Sequence, residues 1–127
     1  MQFAIGENME QETGRNIADR LIDFAVGVID LSEVLPSSFL GNHIGCQITR
    51  SATSAGANYE EARGAESKAD FIHKLGVALK ELKESRYWLK LISKTKICKT
   101  DTKIAVLQGE CEELCAIIGK SIITTKR

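Results

Sequence analysis

Residues 67–92 read SKADFIHKLGVALKELKESRYWLKLI. Within them Phe71, Leu75, Ala78, Leu82, Ser85, Leu89 and Ile92 recur at alternating spacings of 4 and 3. Side chains at those spacings lie on one side of an α-helix, so the stretch carries a single continuous seam. A seam sustained over three heptads is that of antiparallel bundles and coiled coils. Ser67 is a natural N-cap, and Asp70 follows it near the positive end of the helix dipole. The pattern predicts a helix over 68–95.

Downstream, Ile104, Leu107, Cys111, Leu114, Ile118 and Ser121 repeat the spacing and predict a helix over 101–123, starting at Thr100 or Asp101. The tail, ITTKR, is expected to fray. Upstream, Ile44, Ile48, Ala52, Ala55 and Tyr59 give a thin apolar face over 42–62, crowded with small residues and stopped at Gly64. Further upstream, residues 13–34 carry one stripe of Ile17, Leu21, Phe24, Val28 and Leu31, and a second of Ile22, Val26 and Ile29. Pro36, Ser37 and Ser38 break the pattern between these helices. No run alternates as a strand does, and no Asn-Gly or Asp-Gly turn is present. With 127 residues the chain makes one domain, 1–127. The expected fold is all-α, an antiparallel up-down-up-down four-helix bundle.

The doubled stripe on helix 13–34, and the Trp88 and Leu91 flank of helix 68–95, hold more apolar surface than one buried face needs. Surplus of this kind marks a protein interface, so a homo-oligomer is expected. The composition, 43% hydrophobic and 27% charged, is that of a soluble globular protein. No apolar run approaches a membrane span. The N-terminal residues lack the pattern of an export signal. The four cysteines are therefore expected to be reduced thiols in the cytoplasm.

Helix 42–62 also carries Gln47, Ser51, Ser54, Asn58 and Glu61 at spacings of 4, 3, 4 and 3. This polar ribbon has two readings. In one it is a buried or half-buried hydrogen-bond network that holds helix register; in the other it lines a groove for a ligand. The first is the expectation. Glu60, Glu61, Glu81 and Glu84 resemble a carboxylate-bridged metal bundle in composition, but there is no Glu-x-x-His, and His43 with Cys46 makes only half a zinc site. No metal or cofactor is expected. Cys111 and Cys115 fall on or beside the apolar seam and read as core. Cys98, in a basic loop, reads as the exposed thiol. There is no nucleophile elbow or phosphate-binding glycine loop, so catalysis is not expected.

Seventeen basic and seventeen acidic residues cancel, but they are segregated. Residues 1–34 carry a balance of −5 and residues 67–103 one of +6. Arg86, Lys90, Lys94, Lys96, Lys99 and Lys103 stand against Asp101 alone. Part of this is ordinary complementing of a helix C-terminus. Six cations around one helix end, repeated by an oligomer, also form a phosphate-binding surface. Tyr87 and Trp88 lie inside the cluster, either packed between helices or placed to stack on bases.

Residues 47–92, QITRSATSAGANYEEARGAESKADFIHKLGVALKELKESRYWLKLI, resemble the family of proteins encoded in intervening sequences of bacterial 23S ribosomal RNA genes, also called S23 ribosomal proteins. The resemblance is carried by Gln47, Arg50, Thr53, Ser54, Asn58, Glu60 and Glu61. It continues through Ser67, Phe71, Ile72, Ala78, Lys80, Glu81 and Arg86 to Leu89. Ala62 stands where many members have Gly, and Glu81 where many have Ser. The resemblance implies a four-helix bundle assembled as a homopentamer. It also implies kinship with the accessory protein of diversity-generating retroelements, a basic pentameric bundle that binds nucleic acid and reverse transcriptase. The resulting expectation is a non-catalytic, oligomeric nucleic-acid adaptor, RNA before DNA, contacting phosphates through Arg86, Lys90, Lys94, Lys96, Lys99 and Lys103, with Arg50 added if exposed. The alternatives are a scaffold for an acidic protein and a small-ligand binder using the polar ribbon.

Overall fold

The seam of residues 67–92 folds as predicted into one long helix. The computed structural model describes the backbone of residues 7–99 and 101–127 and the side chains of residues 16–99 and 102–127. Within these residues there are four helices and no strand: α1 (Glu7–Val34), α2 (Phe39–Arg63), α3 (Lys68–Thr95) and α4 (Asp101–Lys126). Thr100, the other expected start of α4, lies outside the described residues. Each helix packs on its chain neighbour and α4 closes against α1, while α1 and α3 stand diagonal. Connections this short make successive helices antiparallel, so the architecture is the expected bundle.

The core is the sum of the four seams. Leu21, Phe24, Val28 and Leu31 of α1 meet Ile44, Ile48, Ala52 and Ala55 of α2; Leu75, Leu82, Leu89 and Ile92 of α3 meet Ile104, Leu114 and Ile118 of α4. Ser67 caps α3, its hydroxyl accepting from the Asp70 amide at 3.0 Å. Ser38 does the same for the Gly41 amide at 3.0 Å, which starts α2 at Phe39, ahead of the expected 42. Gly41 allows that entry: a Cβ there would lie 2.0 Å from the Pro36 carbonyl oxygen. Gly64 ends α2 at φ −97°, outside the left-handed region.

Several expectations are corrected. The α1 helix begins at Glu7, upstream of the expected 13. The tail does not fray, because α4 runs to Lys126 and the buried Thr125 donates its hydroxyl to the Ser121 carbonyl at 2.7 Å. Cys98 is not the exposed thiol. It is only 7% exposed, because the loop before α4 folds Ile97 and Cys98 onto the core; Cys46 is the exposed one. Cys111 and Cys115 lie in the core as expected, the Cys111 thiol donating to the Leu82 carbonyl at 3.2 Å. The two surplus stripes separate: Ile22 (56% exposed), Val26 and Ile29 face outward, whereas Trp88 and Leu91 are half-buried against the core.

Candidate nucleic-acid interface

The antiparallel order brings the C-terminus of α3, the following loop, the N-terminus of α4 and the N-terminus of α2 to one end of the bundle. Lys90 and Lys94 on α3, Lys96 at its cap, Lys99 in the loop and Lys103 in the first turn of α4 are all exposed there. Among the described residues none of these five lysines is ion-paired. Lys103 and Asp30 line one open cleft of about 240 Å3 between α4 and α1. The acids of α1 at this end, Asp30 and Glu33, sit on the helix diagonal to α3.

Lys96 ends α3 in the left-handed region, at φ 55°, with its amide donating to the Ile92 carbonyl at 3.1 Å. That conformation favours glycine and costs an L-residue about 1–2 kcal/mol. A lysine occupies that position here.

The two arginines of the predicted set are committed elsewhere. Arg50 reaches from α2 to α3, where it pairs with Glu81 at 2.8 Å and also with Glu84. Those two carboxylates, Glu84 before Glu81, hold the Arg50 guanidinium above its ordinary pKa. Glu84 also accepts from Trp88 Nε1 at 3.1 Å, and the two donors, Trp88 first, hold its pKa below the usual carboxylate value. Arg86 pairs with Glu112 of α4 at 3.3 Å. Both cations fasten helices together, and neither offers an unpaired charge to a phosphate.

The polar ribbon does not act as one unit. Ser51 is fully buried and shares a 2.7 Å hydrogen bond with Ser85 of α3, which also donates to the Glu81 carbonyl at 3.1 Å. Gln47 is half-buried. Asn58 donates to the Ser54 carbonyl at 2.9 Å and to its hydroxyl, both within α2. Glu61 lies exposed and pairs with Lys74 at 2.8 Å. None of the five lines a described cleft between α1 and α2 or between α1 and α4.

A feature that periodicity did not isolate is a row of rings. Phe39, 87% exposed, stacks on His43 with centroids 6.3 Å apart and planes 6° from parallel. His43 meets Trp88 edge-on at 5.8 Å, and Trp88 meets Tyr87 edge-on at 5.0 Å. The signal was present in part, since Tyr87 and Trp88 are adjacent. Phe39 and His43 join them only through the α2–α3 contact. Among the described residues no group of three His, Cys, Asp or Glu side chains is placed to hold a metal ion.

The sequence matches the family of 23S rRNA-intervening sequence proteins over residues 4–120. The chain belongs to that family. A solved structure, a protein of unknown function from the S23 ribosomal protein family of Bacteroides thetaiotaomicron VPI-5482, is similar at 34% identity. The similarity covers 87% of this chain and 98% of that one, with a TM-score of 0.75. No curated protein sequence matches significantly. The intervening-sequence family thus accounts for the bundle and for the residues 47–92 pattern. No described helix of this member is long and apolar enough to cross a membrane.

Proposed function

We propose that this intervening-sequence protein is a non-catalytic, self-associating adaptor that binds nucleic acid, RNA in the first place, in the cytoplasm. The observation that carries the reading is the lysine-rich end: Lys90, Lys94, Lys96 and Lys99 are exposed and unpaired among the described residues, while Arg50 and Arg86 are spent on carboxylates. Unpaired cations crowded on one surface repel each other and attract a polyanion.

Self-association is supported by Ile22, Val26 and Ile29, which line an open apolar cleft of about 400 Å3 with Gly56 and Ala57 of α2. The pentamer implied by the family resemblance is the expected assembly.

The test is a gel-shift titration with structured ribosomal RNA fragments and with duplex DNA at low and moderate salt, with the mass measured by light scattering on the same sample. Phosphate contacts release counterions, so affinity should fall steeply with salt. Lys94→Glu with Lys96→Glu should abolish the shift and leave the mass unchanged. A clean oligomer with no shift at low salt overturns the reading and leaves the basic end to an acidic protein partner.

A further inference from the structure

We infer that the nucleic acid is engaged as an unpaired single strand, with bases stacking on the exposed rings of Phe39 and Tyr87 while the neighbouring lysines hold its phosphates. This rests on the proposed nucleic-acid reading and names the form of its ligand. Phe39 is 87% exposed and Tyr87 57% exposed, so both rings are open to a ligand. They end a continuous row whose interior members are His43 and Trp88. The Phe39–His43 pair is already a parallel stack, and its outer ring has a free face on which a further flat ring can lie.

Charge accompanies the row. Tyr87, Lys90 and Lys94 are three and four positions apart, on one strip of α3. The first turn of α2, which begins at Phe39, holds no acidic residue. Trp88 is oriented by its bond to Glu84, and Glu84 in turn is neutralised by Arg50. The carboxylate nearest the row is therefore paired. Aromatic faces set among cations are what a single strand requires, because every base has a π-face and every nucleotide a phosphate. A duplex hides its base faces and could use the lysines alone.

Trp88 is the sole tryptophan, so its fluorescence reports directly on the row. The full chain is titrated with a single-stranded oligouridylate, with a blunt RNA duplex of equal length, and with inorganic polyphosphate as a base-free polyanion. The expected result is tight binding of the single strand with a change in Trp88 emission, and weaker binding of the duplex and polyphosphate without it. Phe39→Ala and Tyr87→Ala should each weaken the single strand roughly ten-fold or more and leave polyphosphate unchanged. Both positions are exposed, so folding is not at stake; Phe39→Leu keeps apolar area but removes the ring, and should behave as the Ala variant does. Equal binding of single strand, duplex and polyphosphate, indifferent to these variants, overturns the stacking inference and leaves the adaptor reading standing. Variants that lower the oligomer mass make the row a contact between copies and also overturn it. Absence of binding to all three polyanions removes both readings.

Discussion

The α2–α3 seam and the α1–α4 seam are built from the same kind of repeat, yet they close differently. Between α2 and α3, small residues let the helices approach, and polar groups are paired across the gap: Ser51 with Ser85, and Arg50 with Glu81 and Glu84. Between α1 and α4, Arg20 clasps Glu110 at 2.7 Å and Glu113 at 3.1 Å, and Leu107 packs directly on Gly27, where a Cβ would lie 2.8 Å from its Cδ2, with an open cleft alongside. The first seam is specified by buried polar partners that fit in one register. The second is held mainly by apolar contact and an ion pair nearer to water. An apolar face tolerates small slips, whereas a buried polar group tolerates none without losing its partner.

The largest effects that sharpen this comparison lie in the core. Leu82→Ala, fully buried on α3, should cost about 3 kcal/mol. Leu107→Ala, buried on Gly27 at the edge of the α1–α4 cleft, should cost about 2 kcal/mol, because the adjoining cleft lets water into the vacated space. Urea denaturation of the two variants measures the difference, and equal costs would mean that the seams are equally tight.

The ion pairs come next. Arg50→Ala leaves the mostly buried Glu81 without its cation and should cost about 1–2 kcal/mol, less than a fully buried pair because half of Arg50 is in water. Arg20→Ala should cost about 1 kcal/mol or less, since both it and Glu110 keep partial access to solvent. The same denaturation series ranks them; a larger loss for Arg20 would reverse the comparison.

Acid should weaken both seams in one direction. Trp88 and Arg50 hold Glu84 below the ordinary carboxylate pKa, and Arg20 does so for Glu110. A carboxyl whose folded pKa lies below its unfolded one stabilises the fold above the unfolded value, and that stabilisation is lost as the pH falls through the folded one. Stability should therefore drop below about pH 4.5. The drop should be shallower in Arg50→Ala and in Arg20→Ala. Urea midpoints between neutral pH and pH 3 check this, and an unchanged slope in both variants would show that other groups dominate.

The smallest effect has the opposite sign. Lys96→Gly should stabilise the chain by about 0.5–1 kcal/mol, because glycine adopts φ 55° freely. The same change should weaken nucleic-acid binding, and a thermal melt run beside a gel shift tests both halves. Stabilisation without loss of binding would remove Lys96 from the interface.

Helix number and the α3 start were legible in the sequence because they depend on neighbours within a turn or two. Heptad spacing, the Ser67 cap and the Gly64 stop are local signals, and each acts within its own helix. The α2 start was legible only in part, since Ser38 was present as a break but its bond to the Gly41 amide needed the fold of the Pro36 turn. In the candidate interface, the lysines were readable as a cluster because they are close in sequence. The aromatic row was not, because Phe39 and His43 are far in sequence from Trp88.

By itself the sequence determined the all-α bundle, the apolar seams, the family and the concentration of lysines around the α3–α4 connection. Only the tertiary structure decided which polar groups are spent and which remain open. It paired Arg50 and Arg86 with carboxylates of the neighbouring helix, split the ribbon into a buried Ser51 bonded to Ser85, an Asn58–Ser54 contact and an exposed Glu61 on Lys74, and hid Cys98 while exposing Ile22, Val26 and Phe39. Periodicity specifies the face of a helix on which a side chain lies, but a charge or hydroxyl is satisfied by whatever group the neighbouring helix brings within about 3 Å. That partner, 31 or 34 positions away for Arg50 and Ser51, is set by packing and by no local pattern.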